Sequence, residues 1–92
     1  MNHVVFFRFP SLDHAREAAA RLRSLEGVVP TLKSIEVGVD ELRSERSWDV
    51  CLITRFDSEE AMEAYQVHPA HQDVVAYIKA HATGAAAVDW SA

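Results

Sequence analysis

His3-Val4-Val5-Phe6-Phe7-Arg8-Phe9 is the stretch that decides how the rest of the chain must be arranged. Its β-branched and aromatic side chains suit a pleated, half-buried surface, so it reads as a strand. Side chains alternate along a strand. His3, Val5, Phe7 and Phe9 therefore point to one face, and Val4, Phe6 and Arg8 to the other. Both faces carry large apolar groups, and a strand of that kind is covered on both sides. One layer of helices covers only one face. The second cover has to come from elsewhere in the chain or from another subunit.

After Pro10, Ser11 is a good N-cap, with Asp13 in the first turn. Leu12, Ala15, Ala18, Ala19, Leu22 and Leu25 then recur at steps of three and four, the spacing of an amphipathic helix. Gly27 is expected to end it, and residues 28–31, with Pro30, to form a loop. Residues 32–39 alternate Ile35, Val37 and Val39 against Ser34, Glu36 and Gly38, a half-exposed strand. The polar residues 40–47 read as the tip of a long hairpin. Residues 48–56 form the second strongly apolar strand, with Val50, Leu52, Thr54 and Phe56 on one side and Cys51, Ile53 and Arg55 on the other. Thr83-Gly84 breaks the last helix, and residues 85–90 close the chain as a strand.

Between those last two strands lies Ala64-Tyr65-Gln66-Val67-His68-Pro69-Ala70-His71. Asp57-Ser58-Glu59-Glu60 has the composition of a helix start, and that helix carries Ala61, Met62 and Tyr65 on one face. Pro69 disfavours helical geometry at His68 and suits the first turn of a new helix. From there His71, Val74, Val75 and Ile78 share a face, with the helix running to about His81. His71 thus sits on an apolar stripe, beside a bend that presents Tyr65. Two readings fit: a core histidine bonded to Tyr65 or to a carbonyl, or a general base in a pocket.

The element order is β-α-β-β-α-(α)-β. This is an α+β, ferredoxin-like pattern: an antiparallel four-stranded sheet with helices on one face. Leaving Val4 and Phe6 wet on the other face is costly, at roughly 25 cal/mol per Å² of apolar surface. Pairing two sheets face to face removes that cost, so a homodimer is expected. Arg8 and Arg55 point to the paired face and need partners there, Glu36 being the first candidate.

The 92 residues make one domain, and 49% hydrophobic content is high for a small monomer. With 14 acidic against 9 basic residues the formal charge is −5, which argues against nucleic acid and against an anionic membrane surface. Cys51 is the one cysteine. It excludes an internal disulfide and a cysteine-based zinc site, and reads as a packed residue in a reducing compartment. The apolar run at residues 4–7 is too short for an export signal, and no stretch has the length of a membrane span. A soluble cytoplasmic protein is expected. His68 and His71 lie three apart, but Pro69 puts His68 at the cap, outside the helical turn, and no carboxylate completes a site. Neither a metal nor a cofactor is expected.

The chain resembles the stress-responsive dimeric α/β-barrel family, known as Dabb, over nearly all of residues 1–92. The resemblance rests on residues 3–9, Val37-Gly38-Val39-Asp40, Trp48-Asp49-Val50, Phe56-Asp57-Ser58, the Tyr65 to His71 segment, and the closing Val88-Asp89-Trp90. It implies one domain with a ferredoxin-like protomer, and a homodimer whose two sheets meet as a barrel. Most members have no assigned activity; one is a plant polyketide cyclase that performs an aldol condensation with a tyrosine and a histidine. By motif those residues fall on Tyr65 and His71, and a further pocket histidine falls on His3. Another histidine of that cyclase's pocket falls at Val50, where this chain departs from it.

The reading favoured for this chain is a homodimer that binds a small apolar or aromatic ligand between sheet and helices. His3, Val5, Phe7, Val50, Leu52 and His68 would contact it, within walls that include Met62, Val75 and Ile78. The alternative is a cyclase-like or other small-molecule lyase or isomerase, with His71 as general base and Tyr65 as oxyanion donor.

Overall fold

In the computed structural model, which describes residues 1–91, the first strand β1 (Asn2–Arg8) runs through the interior of the sheet. It is followed by α1 (Leu12–Arg23), β2 (Ser34–Val39), β3 (Val50–Arg55), α2 (Glu59–Gln66), α3 (Pro69–His81) and β4 (Gly84–Trp90). The four strands lie in the order β2-β3-β1-β4 and every pairing is antiparallel. This is the ferredoxin-like architecture. The alternation of β1 appears as expected: Val5 and Phe7 are buried under the helices, while Phe6 and Arg8 are exposed.

Local chemistry sets the helix ends. Ser11 and Ser58 hold extended backbone and accept the amide protons of His14 and Ala61, the N-cap geometry. His68 does the same for α3, its Nδ1 accepting from the Ala70 amide at 3.1 Å, while Pro69 supplies the first helical residue. At the other end α1 stops at Arg23, short of Gly27. Ser24 caps it, and residues 25–28 continue as turns around Gly27, whose φ of 76° an L side chain would resist. Leu25 remains buried even so, because the turn carries it back onto the core.

The second apolar strand likewise starts later than its composition implies, at Val50 instead of Trp48. Asp49 lies just before it. Its amide donates to the Phe7 carbonyl at 2.9 Å, and its Oδ2 accepts the Phe9 amide at 2.7 Å. Its carbonyl also accepts the Asp40 amide at 2.9 Å, so Asp49 ties the ends of β1 and β2 together just ahead of the strand. Trp48 instead lies beneath the Arg8 guanidinium, 4.2 Å from ring centroid to carbon.

α1 lays Ala15, Ala18 and Leu22 on the sheet, and these fill the core with Val5, Phe7, Leu52, Tyr65, Val74 and Ile78. The open face of the sheet carries Val4, Phe6, Cys51, Ile53, Ala86, Val88 and Trp90 by register. Phe6, Val88 and Trp90 are 38%, 60% and 45% exposed. Cys51, read from sequence as packed, is only half-buried on this face. Within the chain Arg8 answers its charge by stacking on Trp48, and Glu36 makes no ion pair among the described residues.

Candidate functional site

A cavity of about 480 Å³ opens between the sheet and α3, beside the start of β4, most of whose residues are exposed. β1 supplies His3, Val5 and Phe7, β3 supplies Leu52, and α3 supplies His71, Val75, Ile78 and Lys79. Residues 82–85 form the rim. The alternation that buries Val5 and Phe7 also aims His3 into this space, and the helical spacing that buries Ile78 aims His71 there.

Each histidine is held through Nδ1. His3 lies opposite Asp89 in the β1–β4 register, and its Nδ1 hydrogen bonds to the Asp89 carboxylate. His71 Nδ1 lies 3.1 Å from the Gln66 carbonyl oxygen. A carbonyl only accepts, so that nitrogen carries the proton and Nε2 of neutral His71 is the bare one. Burial pushes the His71 pKa down, and nearby His3 and His68 lower it further, against the opposing pull of the Gln66 carbonyl. The ring stacks on Tyr65 at 4.2 Å between centroids.

Of the residues named from sequence, His3, Val5, Phe7, Leu52, His71, Val75 and Ile78 meet at one cavity. Val50, Met62, Tyr65 and His68 are not on its lining. Val50 is buried in the core and His68 is turned to capping α3. Tyr65 is buried between Phe56 and His71, and its hydroxyl has no hydrogen-bond partner among the described residues. Burial pushes its pKa up to about 12, so it stays a neutral phenol.

Three contributors went unread in the sequence. Asp89 lies in a motif already noticed, but its partnership with His3 depends on a register between strands 86 positions apart. The Gln66 carbonyl is backbone and leaves no mark in residue type. Lys79 did leave one, since it continues the four-residue ridge from His71 through Val75.

A family model, the stress responsive A/B barrel domain or Dabb, matches residues 1–92. The chain belongs to this family. Among solved structures it is similar to a dimeric ferredoxin-like protein of unknown function from Thermobifida fusca, at 27% identity and a TM-score of 0.83, with 95% of this chain and 85% of that one covered. A dimeric protein of unknown function and ferredoxin-like fold from Bacteroides fragilis matches at 22% identity and a TM-score of 0.85, covering 97% and 92%. A hydroxynitrile lyase from Passiflora edulis shares the fold at 15% identity and a TM-score of 0.79, covering 95% and 87%. No curated protein sequence matches this Dabb chain significantly.

Proposed function

We propose that this Dabb protein is a homodimer that takes a small apolar or aromatic ligand in the cavity between sheet and α3. The cavity carries the reading: apolar walls surround two imidazoles whose Nδ1 atoms are already engaged, leaving Nε2 of each to meet a polar atom on the ligand. The dimer is supported by the apolar open face of the sheet and by the dimeric description of the Thermobifida relative. Its lone cysteine suits the reducing cytoplasm.

Binding is tested by titrating an aromatic and aliphatic carbonyl library into isotope-labelled protein and following amide shifts. Perturbations should cluster at residues 3–7, 71–79 and 82–85. Val75→Trp, which fills the half-buried wall, should abolish them while the dispersion of the remaining spectrum stays native. Shifts confined to other regions, or undiminished in Val75→Trp, would contradict the reading.

One observation favours a second reading, the fixed tautomer of His71. A neutral imidazole with its bare Nε2 in an apolar cavity is equipped as a general base. Nε2 takes a proton from a carbon beside a carbonyl, and the C–H electron pair moves to the carbonyl oxygen as an enolate. His3, its Nδ1 bonded to Asp89, turns Nε2 toward that oxygen and would donate to it only when Nε2 also carries a proton. Return of the proton to a different atom of the enolate completes an isomerisation; alternatively the enolate carbon attacks a second carbonyl, making a carbon–carbon bond, and the alkoxide so formed takes the proton back from His71 Nε2. Tyr65, stacked on His71 behind the lining, acts in this reading by fixing the plane of the ring.

A further inference from the structure

We infer that the ligand of this cavity is an acid: an apolar or aromatic molecule whose carboxylate lies at Lys79, at the far end from His71. The inference rests on the cavity being a ligand site. His71, Val75 and Lys79 are successive steps of four on α3, and all three line the cavity. At a rise of 1.5 Å per residue, the eight positions from His71 to Lys79 span about 12 Å. One helix ridge therefore sets a neutral base at one end, an apolar wall in the middle and a cation at the other.

Lys79 is the one lysine or arginine on the lining, and it makes no ion pair among the described residues. Arg8, Arg23, Arg46 and Arg55 also lack a carboxylate partner among the described residues, but none of them lines this cavity. The other titratable groups of the lining do not compete for an anion. His71 is held neutral by burial, and His3 is already matched to Asp89. Elsewhere the chain is acidic, with a formal charge of −5, so anions are discouraged from most of its surface. Lys79 also lies in the last turn of α3, where the helix end carries partial negative charge. Without its ammonium, that end of the cavity would repel an acid. A single ammonium gives a point contact, with none of the forked geometry that selects phosphate groups.

Decanoate, decanol and decylammonium have similar lengths and differ in head-group charge. Their dissociation constants for the dimer are measured at low salt by following cavity amide shifts. Decanoate should bind about threefold to fivefold tighter than decanol, the range of a partly exposed ion pair. The preference should vanish in Lys79→Gln and turn toward decylammonium in Lys79→Glu. Equal binding of decanoate and decanol in the cavity, or a preference unchanged in Lys79→Gln, overturns the assignment of Lys79 and leaves the cavity a ligand site. Failure of all three to perturb the cavity overturns both.

Discussion

His71 draws its chemistry from neighbours that pull its proton affinity in opposite directions. Burial lowers it and the Gln66 carbonyl raises it, and the net shift is downward from 6.5. The folded protein therefore binds this proton less readily than the unfolded chain does. Above the unfolded value His71 costs the fold nothing; as pH falls below it, toward the lowered folded value, its protonation weighs against stability. The same sign fixes the base. Deuterium exchange into a ketone bound in the cavity should keep its full rate down to a midpoint below 6.5, and His71→Ala should lower it by about a hundredfold or more. Exchange that is unaffected in His71→Ala would leave only the binding role. His71 was visible in sequence because a histidine on an apolar stripe beside a proline bend is a local pattern. Asp89 was not, because the bond to His3 depends on which strands pair.

At the scale of elements, the hairpin between β2 and β3 is held by a clasp built on Asp49. This carboxylate is 7% exposed. Its Oδ2 accepts the Phe9 amide and its Oδ1 accepts Arg43 at 2.7 Å, while Arg43 also reaches Asp40. Burial alone would raise the Asp49 pKa; the Phe9 amide and the Arg43 guanidinium outweigh it and hold it below 3.8. A depressed carboxylate stabilises the fold fully above its unfolded value and loses that contribution as pH falls through the folded one. Asp49→Ala should cost about 2–3 kcal/mol in urea unfolding at neutral pH, because it orphans a buried amide and releases the loop. It should also flatten the loss of stability below pH ~4. A cost under about 0.5 kcal/mol would show that the clasp is ornamental. The sequence led to the right elements here, because alternation and helical spacing are local. It misplaced the C-terminal end of α1 and the start of β3, because where a helix passes into turns and where a strand's pairing begins depend on bonds to partners that composition does not reveal.

At the scale of the molecule, the two-faced pattern of β1 carried most of the fold. Val5 and Phe7 went under the helices, and Val4 and Phe6 came to the open face, as alternation required. The cavity was less legible. Its lining is drawn from β1, α1, β3, α3 and the residues leading into β4, so its shape is a property of the assembled layers. The open face is continuous across the strands, with Phe6, Ile53 and Val88 at its centre by register. A patch of that kind on a 10.3 kDa chain is covered most economically by its own copy. The mass in solution at micromolar concentration, by light scattering on a sizing column, tests this most directly. The account predicts twice 10.3 kDa for the native chain, falling to the single-chain value in Phe6→Asp. A native mass of one chain, with Val4, Phe6 and Val88 standing in water, would contradict it.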